Sequence, residues 1–457
     1  MLWLLACAEP GPPENGEFLE PDWGVEQREE DSAAESDSGD DCPAGTITFE
    51  DRDGDGHPGT AVGGCEGAPE RTDCDDEDPS VHPDASEADC QERNCDEKPP
   101  AAVFEGLAYN DLQDALNMVE SGTVSVCPGI WSGGFVLSSP DAAVVLEGAT
   151  GDPADVLLDG GGTRTVLTAE AGSLTLSGLT FQNGYAEAEV GGGAFVSVAE
   201  LKLHDVVFQD NAADSCGAGL FAYEFVDALV TDSTFRRNHV EGYGGGARLT
   251  ARNGRSRLRI LDSTFEANTS GYDAAALTLS TRGTADVLIS ASVFRNNIAG
   301  DKVGGVTIDN SGVWDFTIED SVFQENGAGA FDASFEDSVL VVRNTELSGH
   351  TGTAFAVDAR RPNDITLDDC RFADNGVAIS ASVIPPGASH STVTIQGGAL
   401  HRNALGIETD RRYIIEAHNV DLGEGVNEND LDVDGCPGSF GPGTSFVYDE
   451  KNKIFCE

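Results

Sequence analysis

The chain has 457 residues, room for two or three domains, and its 81 Asp and Glu residues against 26 Lys and Arg residues give a formal net charge of −55. Such a charge repels nucleic acids and polyuronates and leaves cations, neutral glycans and basic surfaces as partners. The 55 glycines and two methionines favour short strands and tight turns, and no apolar run is long enough to span a bilayer. We therefore expect an all-β protein that binds no nucleic acid.

The first residues, 1–7, end in Leu4, Leu5 and Ala6 before Cys7. They resemble the lipobox of a bacterial lipoprotein signal, and the resemblance implies lipidation at Cys7. Because the charged region and most of the apolar region of such a signal are missing, we expect an upstream start codon or a truncated sequence. A short apolar N-terminus with an incidental cysteine is the alternative. The resemblance implies an exported protein, lipid-anchored to the outer membrane or cell surface of a Gram-negative bacterium and contacting the membrane only through that anchor.

Residues 8–41 are rich in Glu, Asp, Pro, Ser and Gly and offer almost nothing to bury. Such a segment stays unfolded, and its like charges extend it. We predict a disordered tether.

Residues 42–98 form an acidic, cysteine-rich segment whose strongest motif places Asp51, Asp53 and Asp55 at alternate positions of a glycine-containing loop. Carboxylates in this arrangement converge on a hard cation that takes six to eight oxygen ligands, which fits Ca²⁺ better than a transition metal. Val62 stands where an EF-hand would have its glutamate. The further ligands are therefore expected from Asp73, Asp75, Asp76, Asp78 and Glu87. An acidic tail that binds cations only diffusely is the alternative.

With its interleaved cysteines, this segment resembles the metal-binding repeat of the MopE-like family, which is similar to thrombospondin type 3 calcium repeats. The resemblance covers about residues 49–97 and implies a disulfide-containing calcium module. One family member is associated with copper, but His57 and His82 stand alone in this sequence and favour no copper site.

All cysteines except Cys7 make an even number, which permits disulfides in an exported chain. The candidates are Cys65, Cys74, Cys90, Cys95, Cys436 and Cys456. We expect a Cys436–Cys456 bridge in the C-terminal cap, and the pairing of the other four stays open.

From residue 101 to residue 435 short β-rich phrases repeat. Six of them end in a phenylalanine at intervals of 27 to 30 residues, and weaker copies follow: Phe181, Phe208, Phe235, Phe265, Phe294 and Phe323. A period in this range is typical of a solenoid in which each repeat is one coil. Alternation along each phrase turns the leucines inward, and the terminal phenylalanines should stack from coil to coil.

Seven asparagines lie three residues past the end of a phrase: Asn211, Asn238, Asn268, Asn297, Asn326, Asn375 and Asn403. Asparagine tolerates the left-handed backbone conformation, and its amide can bond to the same amide one coil away. We interpret the seven as a structural ladder at a turn, with a binding ladder as the alternative.

These phrases resemble the right-handed parallel β-helix of the pectate-lyase-like superfamily. The resemblance implies an amphipathic helix from Leu112 to Val119 that caps the first coil and a C-terminal cap at residues 436–457. The string Asp430, Asp432 and Asp434 repeats the spacing of the metal motif, but the intervening Leu and Val indicate a last strand instead.

Members of this superfamily include polysaccharide lyases and glycoside hydrolases, so an enzyme is the alternative function. A column of aspartates precedes the phrase ends at Asp205, Asp232, Asp262, Asp320 and Asp369. A group repeated in nearly every coil indicates turn chemistry, whereas a catalytic group would occur once. No isolated carboxylate pair, nucleophile elbow or Ser, His and Asp grouping is present, and we predict no catalytic residue.

Arginines between residues 236 and 259 interrupt the acidic background. Arg257 and Arg259 flank an inward leucine and should point outward together, with Arg248, Tyr243 and Tyr272 nearby. Ion pairs with neighbouring acids and tyrosines that shield the loops are one interpretation. A contact surface for a glycan or an anionic polymer is the other.

Together these patterns predict a non-catalytic, monomeric, calcium-binding surface lipoprotein. Its β-helix would present one face to glycans or other components of the cell envelope.

Overall fold

The computed structural model describes residues 51–57, 59, 73–87, 90–91, 93–95 and 98–434, with strand backbone alone at 413–418, 433–434 and 445–447. The range 98–434 has gaps at 188, 253, 302, 309–311, 336, 360–362, 384–390, 410–412, 419 and 422–432. Several predictions fall on residues outside this description: those for Cys7, Cys65, Cys436, Cys456 and the tether 8–41. The chain divides into two compact units, Met1–Glu87 with Glu92–Lys98 and Ala88–Gln91 with Pro99–Glu457. Below they are called unit 1 and unit 2.

Unit 2 is built almost entirely of short strands. It opens with β1 (Ala102–Phe104), β2 (Leu107–Tyr109), helix α1 (Leu112–Met118), β3 (Gly122–Val126) and β4 (Gly129–Ser132). The next strands are β5 (Phe135–Gly148), β6 (Val156–Asp159), β7 (Leu167–Gln182), β8 (Tyr185–Ala186), β9 (Ala194–Gln209), β10 (Ala212–Ala213), β11 (Leu220–Phe225), β12 (Asp227–Thr231), β13 (Thr234–Arg236) and β14 (His239–Val240). The central coils contain β15 (Ala247–Ala251), β16 (Arg255–Leu261), β17 (Thr264–Glu266), β18 (Thr269–Ser270), β19 (Leu277–Thr281), β20 (Thr284–Ser290), β21 (Val293–Arg295), β22 (Ile298–Ala299), β23 (Val306–Ile308), β24 (Val313–Glu319) and β25 (Val322–Gln324). The last strands are β26 (Phe331–Phe335), β27 (Val339–Arg343), β28 (Glu346–Ser348), β29 (Thr353–Ala359), β30 (Asp364–Asp368), β31 (Arg371–Ala373), β32 (Val377–Val383), β33 (Ser391–Gln396), β34 (Ala399–His401), β35 (Leu405–Thr409), β36 (Tyr413–His418), β37 (Val433–Asp434) and β38 (Ser445–Val447).

β1 pairs antiparallel with β2 and β3. From β3 onward the strands pair in parallel with their counterparts one coil away, which confirms a parallel β-solenoid of about 10 turns. Each coil contributes a strand to three long sheets. Sheet I starts with the first parts of β5, β7 and β9 and continues through β11, β15, β19, β23, β26, β29, β32, β35 and β37. Sheet II contains β3, the later parts of β5, β7 and β9, and then β12, β16, β20, β24, β27, β30, β33, β36 and β38. Sheet III contains β4, β6, the ends of β7 and β9, and then β13, β17, β21, β25, β28, β31 and β34. Five two-residue strands, β8, β10, β14, β18 and β22, form a small sheet IV.

The core is a set of columns in which the same inward position repeats in every coil. On sheet III the phenylalanines stack face to face, with ring centroids 4.5 Å apart from Phe235 to Phe265, 4.8 Å from Phe265 to Phe294 and 4.6 Å from Phe294 to Phe323. All four are at most 1% exposed. The predicted phenylalanine column is confirmed, because residues in register on parallel strands meet the same residue of the next coil.

The corner between sheets II and III explains the aspartate column. Asp205, Asp232, Asp262, Asp320 and Asp369 all have positive φ, between 50° and 53°. Asp tolerates this left-handed conformation at a one-residue turn. The aspartates therefore have a structural role at the turns, as their repetition in the sequence indicated. Asp232, Asp262 and Asp320 are each followed by a buried serine, and such serines link neighbouring coils, as when the Ser233 amide donates to Ser263 Oγ at 3.3 Å. Cys370 takes this place in its own coil and is 4% exposed.

The asparagine ladder lies at the corner after sheet III. The Asn238 side-chain amide donates to Asn268 Oδ1 and to the carbonyl of Phe208 in the preceding coil, both at 3.0 Å. The ladder is confirmed, but the left-handed residue is the one before each asparagine, as at Arg237 with φ of 53°. The asparagines themselves are buried, because their amides satisfy the backbone groups that the sharp corner leaves unpaired.

Helix α1 caps the first coil as predicted, with Leu112, Ala115 and Leu116 buried. Gln113 completes the cap, because its amide accepts from the Val136 nitrogen at 2.8 Å and donates to the Val136 carbonyl at 2.9 Å. The side chain thus satisfies backbone groups at the end of the solenoid that no further strand would reach.

Candidate functional site

The acidic motif of unit 1 folds into a loop that directs several carboxylates to one point. One oxygen from each of Asp51, Asp53 and Asp55 lies within 4.8 Å of the others. The Asp51 carboxylate accepts from the amides of Gly54 at 2.7 Å and Gly56 at 3.1 Å, which winds the loop around it. Both glycines have positive φ, 84° and 97°, so a side chain at either position would strain the loop.

A second segment of unit 1 lies against this loop. The Arg52 amide donates to Asp76 Oδ1 at 3.1 Å, and a Cβ at Gly59 would come within 2.7 Å of Asp76 Cγ. The segment also carries Asp73, which is 1% exposed. Its Oδ2, like Oδ2 of Asp53 and of Asp55, is buried and has no hydrogen-bond partner among the described residues.

These carboxylates disturb one another. Burial raises the pKa of the Asp53 carboxyl, and the negative charges of neighbouring groups, among them Asp55 and Asp73, raise it further against a hydrogen bond from the Asp55 amide. Burial and crowding both disfavour the charged form. A cation bound between the oxygens would offset both penalties.

The other predicted ligands have separate roles in the described structure. Asp78 Oδ1 accepts from the amide of Ser80 at 3.0 Å and from its hydroxyl at 2.7 Å, and these bonds lower the pKa of Asp78. Glu87 is 4% exposed, and its Oε1 accepts from the amides of Arg93 and Asn94 at 3.0 Å and 3.2 Å. Asp78 Oδ1 and Glu87 Oε1 therefore stabilise backbone turns by accepting these hydrogen bonds.

Asp75 is exposed, and its Oδ1 accepts from the Glu77 amide at 3.4 Å. It therefore also caps a turn, although its partner is at the long end of the hydrogen-bond range.

The cysteines of this region form two disulfides in the described structure. Cys74 pairs with Cys95 in unit 1, and Cys90 pairs with Cys127 in unit 2, with Cα atoms 5.6 Å and 5.3 Å apart. Cys74 and Cys95 lie beside Asp73, but their sulfurs are bonded to each other and are not thiolate ligands. Cys127 was absent from the predicted disulfide set, since the sequence places it in the solenoid, away from the cysteine-rich segment.

The two histidines of unit 1 do not stand alone as the sequence indicated. The rings of His57 and His82 stack with centroids 4.8 Å apart and planes 6° apart. Nitrogen lone pairs lie in the ring plane, so stacked rings direct them side by side and not toward one shared ion.

The arginines and tyrosines of the predicted contact surface lie on different sheets. Arg248 is on sheet I, 7% exposed, with its guanidinium 6.0 Å from the Tyr243 ring centroid and Nη1 donating to Cys216 Sγ at 3.3 Å. Tyr243 stacks on Tyr272 at 5.5 Å. These three predicted residues are brought together, but the buried guanidinium packs beneath the loops and does not face solvent.

Arg257 and Arg259 lie on sheet II and do point outward. Arg257 pairs with Asp227 of the preceding coil, and Arg259 pairs with Asp286 of the following coil at 3.0 Å. Neighbouring acids thus neutralise both cations, which agrees with the interpretation of these arginines as members of ion pairs.

No helix in the described part of the chain is long and apolar enough to cross a membrane. Comparison of the chain with models of known protein families, with curated proteins and with solved structures found no match.

Proposed function

We propose that the protein is a calcium-binding surface protein in which unit 1 binds Ca²⁺ and the solenoid of unit 2 presents a face to glycans or other envelope components. The observation that supports calcium binding is the set of buried carboxylate oxygens without hydrogen-bond partners at Asp53, Asp55 and Asp73. Ca²⁺ takes oxygen ligands in irregular geometry, and these oxygens, with backbone carbonyls and water, would meet that requirement. The MopE-like resemblance of the same segment supports the same ion.

Calcium binding should stabilise unit 1 more than the solenoid. Residues 42–97 contain few large apolar side chains, so disulfides and bound cations must constrain this segment. The dry phenylalanine columns of unit 2 need no ion.

The first experiment is a calcium titration by isothermal calorimetry. We expect the wild-type protein to bind Ca²⁺, and Asp53→Asn with Asp55→Asn to abolish binding. Asp84→Asn is the control for the loss of a carboxylate charge, one against two in the double variant, because its side chain is 69% exposed. No heat of binding in the wild-type protein, or equal affinity in the double variant, would contradict the proposal.

Limited proteolysis checks the same site through structure. Excess chelator should open the chain to trypsin at Arg93, while the solenoid from Val103 onward stays resistant. Equal protection of Arg93 with and without chelator would contradict a structural role for the ion.

Export and anchoring through Cys7 complete the proposal, and they rest on the lipobox resemblance alone. Mass spectrometry of the protein purified from its native membrane would detect the lipid, and an unmodified Cys7 would contradict anchoring. The pectate-lyase-like resemblance leaves a lyase or hydrolase as the alternative, and no side-chain arrangement among the described residues favours it over presentation.

A further inference from the structure

In its N-terminal coils, sheet I carries a row of mostly apolar side chains on its outward face. Val136, Thr168, Phe195 and Phe221 occupy the same outward position of four successive coils. Val136 is 51% exposed, and both phenylalanines are partly exposed. Their chain neighbours turn inward to the core, so these side chains are not core residues that happen to reach the surface.

The aromatic rings of this row form a stack. Phe195 and Phe221 are 5.7 Å apart with planes 20° apart, and Tyr223 lies 6.3 Å from Phe221 on the same face. Beyond Phe221 the row continues with Arg248, which the loops cover. Before Phe195 it continues with Thr168, whose side chain is much smaller than a ring. The aromatic stack therefore ends next to an open position.

A cleft of about 330 Å³ opens at that position. Val136 and Thr168 line it on the sheet, and Arg164 and Tyr185 line it on the loops. The Tyr185 hydroxyl donates to an Asp214 carboxylate oxygen at 2.9 Å, which holds the ring at the rim.

Arg164 packs against a glycine in the lining of the cleft. A Cβ at Gly134 would come within 2.9 Å of Arg164 Cδ. Arg164 is exposed, and within the described part of the chain no carboxylate forms an ion pair with it. Its guanidinium thus has donors to offer to a ligand, unlike Arg257 and Arg259.

The chemistry of the lining selects the ligand. The volume lies in the range of small-molecule sites, roughly 300 to 1,000 Å³. Glu187 and Glu189 outnumber the single arginine, so the cleft disfavours uronates and sulfated sugars as the net charge of −55 does. A neutral pyranose has apolar C–H faces and a rim of hydroxyls, which match an aromatic stack beside hydroxyl, guanidinium and carboxylate groups.

We infer that this cleft, together with the Phe195 ring one coil beyond Thr168, binds a neutral oligosaccharide. The inference rests on the proposed presentation of a solenoid face to glycans and assigns that role to the N-terminal coils of sheet I.

Calorimetry with purified hexasaccharides tests the inference. The probes are neutral hexasaccharides of glucose, mannose, galactose and N-acetylglucosamine, with the hexasaccharide of galacturonic acid as the charged comparison. We expect at least one neutral probe to bind, the charged probe not to bind, and Phe195→Ala and Arg164→Ala each to weaken binding at least tenfold. The controls are Val339→Ala, 42% exposed on sheet II, and Arg252→Ala, whose side chain is 55% exposed. Circular dichroism melts confirm that every variant is folded.

The outcomes separate the cleft from the wider role. Wild-type binding that survives in both cleft variants would overturn the cleft and keep glycan presentation. Binding of the charged hexasaccharide alone would overturn the choice of a neutral ligand. No binding of any probe would overturn both the cleft and glycan presentation, while the calcium titration would still test unit 1.

Discussion

His350 interrupts the asparagine ladder, and we predict that it makes the solenoid sensitive to acid. It occupies the ladder position between Asn326 and Asn375. Its Nδ1 accepts a hydrogen bond from the backbone amide of Asn326 at 3.1 Å, and the backbone amide of His350 donates to Asn375 Oδ1 at 3.1 Å. The side chain is 1% exposed, and its Nε2 is buried with no hydrogen-bond partner among the described residues.

Burial lowers the pKa of His350 from 6.5 to about 4. Well above pH 6.5 the imidazole is neutral in both the folded and the unfolded state, and the folded protein keeps its full stability. As the pH falls from 6.5 toward 4, the unfolded chain gains a proton that the folded chain does not, so stability is lost. At about pH 4.5 the loss should be about 2.5 kcal/mol.

The substitution His350→Asn should remove this loss and restore the ladder. An asparagine there can donate to the carbonyl one coil back and to Asn375, as its neighbours do, which adds about 1 kcal/mol at neutral pH. Urea unfolding of the wild type and the variant at about pH 7.5 and about pH 4.5 measures the effect, and the carboxylates that both proteins share cancel in the comparison.

The control is His239→Asn, whose side chain is 54% exposed. It should change the pH dependence little. If His350→Asn shifts the unfolding free energy equally at both pH values, the reasoning about the buried imidazole is wrong.

Three further predictions concern the core, the surface and the free thiol. Phe265→Ala should cost about 3 to 5 kcal/mol, because it removes a ring from the middle of the stack; an unchanged thermal midpoint would contradict the core assignment. Arg257→Ala should cost at most about 1 kcal/mol in urea unfolding, because its partnership with Asp227 is exposed; a larger loss would show that the pair is structural. Burial raises the pKa of the Cys370 thiol to about 12, so a disulfide reagent should modify it only after denaturation; rapid reaction in the native protein would show that the coil opens.

The elements whose cause is local could be predicted from the amino-acid sequence. Alternation along a strand decides which side chains face inward, and a constant period brings equal positions together in neighbouring coils. The phenylalanine column, the ladder amides and the apolar face of α1 follow from these two facts, and so does the turn role of the repeated aspartates.

Contacts that depend on the neighbouring coil could not be predicted, because they are set by the three-dimensional packing of the chain. Arg257 and Arg259 look alike in sequence as outward cations, yet the acid beside each comes from a residue 27 or 30 positions away. The ladder predicted from the sequence also lacked His350, because the pattern was defined by asparagine alone. A histidine Nδ1 accepts the same bond that an asparagine Oδ1 accepts elsewhere in the ladder. The Cys90–Cys127 pair joins residues 37 positions apart, and its partners are selected by distance in space and not by spacing. The same holds for the cleft beside Phe195, since its walls come from separate coils that only the register of the parallel strands brings together.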